Sequence, residues 1–143
     1  MKNRVAGLAA GAAVAVGMVL GGCGGGGDEP TAADKTAADQ TAVRQVLSNL
    51  QTASRAGDGK RICTQIFTPK LANSVTTSAV SGSCAKEVNA KLFSAKADLS
   101  VQNVDVTDPA NATATVKEAI GNTSTVFLVK QSGRWRIRSV QAA

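Results

Sequence analysis

Five carboxylates fall where a fold could use them to move protons: Asp58 between two glycines, Asp98 and Glu118 at the ends of apolar segments, and Asp105 and Asp108 near a proline. A general acid or base needs such a group held in a pocket within hydrogen-bond reach of its substrate. Each has a simpler local use. Asp58 can cap a helix, Asp98 and Glu118 suit solvent-exposed junctions, and Asp105 and Asp108 flank a turn. The chain has no histidine, so Ser78, Ser81 and Ser83 have no imidazole to activate them, and no G-x-S-x-G elbow surrounds them. The glycines at 24–27 lack the preceding strand and following Lys-Ser/Thr of a phosphate loop. Cys63 and Cys84 are not spaced as C-x-x-C, which argues against a dithiol redox centre. Arg134, Arg136 and Arg138 alternate along one stretch. They could meet an acidic partner or anionic lipid headgroups, or form the wet side of a half-buried strand. No catalytic residue, cofactor or metal site is expected.

The elements that would position these groups fall into two halves. Val43, Val46, Leu47, Leu50 and Ala53 recur at helical spacing and predict an amphipathic helix over 39–56, with Asp39 in its first turn and Gly57 past its end. Asp58 then caps a second helix carrying Ile62, Cys63, Ile66 and Phe67. Thr68-Pro69 ends it and starts a short one reaching about Val75. A Ser/Thr/Gly loop over 76–83 follows. Ser83 caps a third main helix, on which Cys84, Val88, Leu92 and Ala95 share a stripe. From Leu99 the period becomes two. Strands are predicted over 99–106, 111–119, 123–130 and 134–140, joined by turns at Asp108-Pro109, Gly121-Asn122 and Ser132-Gly133. Those connections are too short for crossover helices, so the sheet is an antiparallel meander of about four strands, and helices before strands make an α+β domain. In the last strand Trp135, Ile137 and Ser139 face inward, with Trp135 against Phe127 or Phe67, and the three arginines face outward. Val126 and Leu128, opposite Phe127, are then a thin hint of a homodimer.

Ahead of all this, Lys2 and Arg4 precede an apolar run over 5–20, the order of a secretory signal. The run is shorter than the roughly 20 residues that span a bilayer, and no charged stop follows. Leu20-Gly21-Gly22-Cys23 resembles the bacterial lipoprotein signal. That resemblance implies a signal peptide over 1–22, a diacylglyceryl group on the Cys23 sulfur, and a mature protein lipid-anchored at the extracytoplasmic face of the cell membrane. Two acyl chains on one cysteine anchor stably where one does not. Residues 23–38 then read as a flexible Gly/Ala/Thr-rich tether and 39–143 as the folded domain. With Cys23 lipidated, Cys63 and Cys84 remain as a pair in an oxidising compartment, where a disulfide is the default. The net charge of +6 falls to +4 once Lys2 and Arg4 leave with the signal. One Trp, three Phe and no Tyr are too few for a base-stacking surface, so nucleic acid is not an expected partner.

A helix ending in Arg55-Ala56-Gly57-Asp58-Gly59, a following helix with Cys63 and a Thr68-Pro69 step, Cys84 opening a later helix, and a terminal Ser132-Gly133-Arg134-Trp135-Arg136-Ile137 strand together resemble small exported members of the nuclear transport factor 2-like (cystatin-like) superfamily. The resemblance covers about 39–140. It implies a cone-shaped fold, with helices packed on a curved antiparallel sheet and often a pocket between them. It does not imply one activity. Lacking His and Tyr, this chain cannot run the superfamily's histidine-dependent or tyrosine-oxyanion chemistry. The expected function is non-enzymatic: a membrane-anchored binding or scaffold domain for a small apolar ligand or a protein partner. The alternatives are an isomerase- or cyclase-like enzyme using one Asp or Glu in the cone, and an electrostatic interaction module using Arg134, Arg136 and Arg138.

Overall fold

The computed structural model describes residues 29–92, 98–118 and 121–142. The expected signal peptide over 1–22, the lipidation site Cys23 and the first tether residues lie outside the described residues, as do Ala95 and Ala119. Helix α1 spans Ala32–Arg55 and so begins within the segment read as tether. Thr31 supplies the reason. Its hydroxyl accepts from the Asp34 backbone N–H at 3.2 Å, and the Asp34 carboxylate accepts from the Thr31 N–H at 3.0 Å, a reciprocal capping box. Alanines at 32, 33, 37 and 38 have the highest intrinsic helix propensity. Asp34, rather than Asp39, therefore sits in the first turn, and Asp39 lies two turns inside the helix.

The inward stripe of α1 is Val43, Leu47, Leu50 and Ala53, each at most 1% exposed. The chain leaves α1 through Gly57 at φ +66°, a left-handed conformation that glycine adopts without strain. Helix α2 starts at Gly59 with Asp58 as its cap, accepting from the Arg61 N–H at 2.9 Å. Gly59 is itself needed, because a Cβ there would lie 2.9 Å from Ala85 Cα, backbone that cannot yield. After Arg61 the helix widens into a π-helical turn, Ile62–Ile66, closed by the Phe67 N–H on the Ile62 carbonyl at 2.8 Å. Helix α3 spans Pro69–Ser78, capped by the Thr68 hydroxyl, and runs three residues past its expected end. Helix α4 spans Cys84–Glu87 and continues as a second π-helical turn, Val88–Leu92. Ser83 stands at its start, but its side chain makes no capping bond. Cys84 and Val88 are buried. The Cys63 and Cys84 sulfurs are at disulfide distance, with Cα atoms 6.3 Å apart, and so join α4 to the π-helical turn of α2.

Strands β1 (Leu99–Asp108), β2 (Asn111–Glu118), β3 (Thr123–Gln131) and β4 (Arg134–Ala142) form one antiparallel sheet in the order β1-β2-β3-β4, the expected meander. Asp108 builds the first turn by accepting from the Ala110 and Asn111 N–H groups. Ser132 and Gly133, at φ +49° and +75°, make the tight β3–β4 hairpin. Val104, Ala112, Ala114, Val116, Val126 and Leu128 form the face packed on the helices. Ala112 and Ala114 are the small side chains of that face.

Two expectations about this sheet are corrected. Phe127 is on the outer face, and its neighbours Val126 and Leu128 are fully buried in the core, so neither supports a dimer surface. The second concerns Ser139, which was expected to face inward, and a register shift explains its placement. Leu128 pairs with Ile137 but Phe127 pairs with Ser139, leaving Arg138 as an extra residue in β4. Such a bulge reverses the alternation beyond it. Ser139 therefore leaves the face of Trp135 and Ile137, and Val140 joins the core side. Phe67, not Phe127, is the aromatic that meets the sheet. It forms a parallel bridge with Ile137 beside the outer edge of β4.

Candidate functional site

The carboxylates that could have served as acids or bases are mostly committed to local structure. Asp58 caps α2, and Asp108 holds its turn, with the Ala110 N–H the main reason its carboxyl sits below the usual range. Asp98 pairs with Arg55 and accepts from Gln51 Nε2 at 3.1 Å, all on an exposed surface. Asp105 is exposed on β1 opposite Thr113 rather than in the turn, and Glu118 is half-buried at the end of β2. Among the described residues no three His, Cys, Asp or Glu side chains converge as a metal site.

Asp39 is the carboxylate that sequence reasoning misplaced. Its Oδ1 accepts from Lys130 Nζ at 2.6 Å and from Trp135 Nε1 at 3.0 Å, and its side chain is 14% exposed. Lys130 and Trp135 face each other across the β3–β4 hairpin, and the ammonium lies 5.6 Å from the indole centroid. The three side chains fasten α1 to the end of the sheet. The Lys130 hydrogen bond, opposed by partial burial and helped by Trp135, holds the Asp39 carboxyl below its ordinary value of 3.8. That makes Asp39 a poor proton acceptor at neutral pH.

The same shift sets a pH dependence. A carboxyl whose pKa is lowered by folding stabilises the fold above its unfolded value, and the stabilisation is lost as pH falls through the folded value. Asp39→Asn is expected to cost about 1.5–3 kcal/mol at pH 7, the range of a hydrogen bond to a charged group. The gap between variant and parent should shrink below pH 3.8, as Asp39 of the parent protonates. Urea denaturation of both proteins at pH 7 and pH 3 checks this. An equal gap at both values would show that the ion pair contributes nothing.

The arginine row is divided. Arg136 Nη1 donates to the carbonyls of Thr64 and Phe67 at 3.0 and 3.1 Å, satisfying groups at the end of the π-helical turn. Arg138 lies 5.8 Å from the Phe127 ring and lines an opening with Lys70, Leu71 and Ser74 of α3. Arg134 instead lines a different cleft of about 620 Å³ between three elements. One wall is α1, through Ala42, Gln45, Val46 and Asn49. A second is Arg61 with Thr64, Gln65 and Ile66, and the third is the start of β4, from Gly133 to Arg136. The cleft is thus lined by three arginines and no carboxylate residue. Arg61 was invisible as a site residue because it reads as an ordinary helix-end cation. Only the packing of the π-helical turn beside β4 puts it on the same cleft lining as Arg134.

Among the described residues no helix is long and apolar enough to cross a membrane. No family model, curated protein or solved structure matches this chain.

Proposed function

We propose that this chain is an exported lipoprotein, held to the extracytoplasmic face of the membrane by lipid on Cys23, whose domain is a non-enzymatic binding module of the nuclear transport factor 2-like type. Helices preceding a β1-β2-β3-β4 meander support that type, in which the sheet would curve round the helices as a cone. The carrying observation is chemical. Asp34, Asp39, Asp58, Asp98 and Asp108 serve as caps, turn ligands or ion-pair partners, whereas the cleft between α1, α2 and β4 presents arginines facing no carboxylate. A protein partner suits this arrangement better than a small apolar ligand, because the side chains between α1 and the sheet fill their space, with Val43, Leu50, Val126 and Leu128 at 0% exposure. The enzyme reading would rest on Asp39, whose side chain is 14% exposed, and its lowered pKa counts against it.

Fractionation tests the anchor. The parent chain should sediment with membranes and need detergent for release, and Cys23→Ser should be found in the soluble fraction or retained uncleaved with its signal. Membrane-bound, normally processed Cys23→Ser protein would refute lipid anchoring at that residue.

A further inference from the structure

We propose that the cleft between α1, the π-helical turn of α2 and the start of β4 binds an acidic peptide segment of a protein partner, an assignment that rests on reading the domain as a binding module. Arg61 and Arg134 approach it from different elements, and among the described residues neither side chain has a hydrogen bond or ion pair. A guanidinium presents a planar fork of N–H donors that matches a carboxylate. Two of them lining one concave surface, with no carboxylate beside them, favour a ligand carrying more than one negative charge.

The remaining lining selects among anions. Gln45 Nε2 donates to Asn49 Oδ1 at 3.3 Å. That bond leaves the Gln45 carbonyl oxygen as an acceptor and the Asn49 amide nitrogen as a donor. A peptide backbone offers one donor and one acceptor per residue and can use both. A phosphate group offers mainly acceptors and would use none of the amide oxygen's capacity, leaving it to water. From Ala42 to Asn49 the helix rises about 10 Å, the span of about three extended residues. Val46 and Ile66 supply apolar surface for an aliphatic side chain between the acidic ones.

Trp135 lines the same cleft and is the sole tryptophan of the chain, so its emission reports occupancy. The full-length lipoprotein in neutral detergent is titrated at low salt with a hexapeptide alternating Glu and Val. The expected result is a saturable change in emission, weakened roughly five- to tenfold in Arg61→Glu and in Arg134→Glu, as when one exposed ion pair becomes a like-charge contact. Added salt should weaken it too. Arg138→Glu, outside this cleft, should titrate like the parent. No saturable change, or undiminished affinity in both cleft variants, would overturn the assignment. So would a stronger response to inorganic phosphate or to soluble glycerol phosphate, which would assign the arginines to a free phosphate or a lipid headgroup. Such a failure would leave the lipid anchor standing, since release on Cys23→Ser does not depend on the cleft.

Discussion

Phe67→Ala is expected to remove about 3–5 kcal/mol of stability, a large share of what a small domain possesses. Phe67 is 0% exposed and is the largest of the fully buried side chains among the described residues. It stands where the π-helical turn ends and the backbone becomes extended, at φ −79° and ψ 152°. From there it bridges to Ile137, and the next residue, Thr68, donates its N–H to the Ile137 carbonyl at 2.8 Å. The ring therefore fills the junction between the helices and the edge of β4, and its loss opens a cavity that fixed backbone on both sides cannot close. Phe67→Leu keeps most of the volume and should cost less than half as much. Urea denaturation of the two variants checks both values, and a loss below about 1 kcal/mol for alanine would show that the junction relaxes.

Removing the Cys63–Cys84 link should have the next largest effect, about 3 kcal/mol for a loop of 21 residues in the chain-entropy description. The link joins two short elements, the π-helical turn of α2 and α4. Helix α4 has four residues before its π-helical turn, and α3 between the two cysteines has no fully buried residue. Without the link, this helical layer should open before the sheet does. The measurement is the denaturation midpoint of the oxidised protein against that of the Cys63→Ser/Cys84→Ser double variant. Coincident midpoints would mean that Gly59 against Ala85 and the buried Val88 hold the layer without help.

Much of the architecture could be read from local chemistry. The four strands were legible because Val and Thr alternate between short turns whose residues have specific conformational reasons to be there, such as Gly133 at positive φ. Asp58 and Thr68 were legible as caps for the same kind of local reason. Features set by long-range contacts were not. Val126 to Val129 is apolar at every position, so period two cannot decide which pair faces the core. The alternation of the three arginines holds as far as Arg138, where the bulge ends it and turns Ser139 to the outer face. The start of α1 was hidden by composition, since the Ala/Thr/Asp residues that resemble a linker also make a capping box and a good helix. The pairing of Asp39 with Lys130 spans 91 residues and that with Trp135 spans 96, beyond any local pattern. Arg61 and Arg134 meet across one cleft for the same reason.

The intact mass of the protein extracted from membranes with detergent tests the anchored, cystine-braced domain most directly. The mature chain should begin at Cys23, carry the added mass of a diacylglyceryl group, and gain the mass of two hydrogens only after reduction. A chain that keeps Met1, or one that lacks acyl mass and has three alkylatable thiols without reductant, would contradict it.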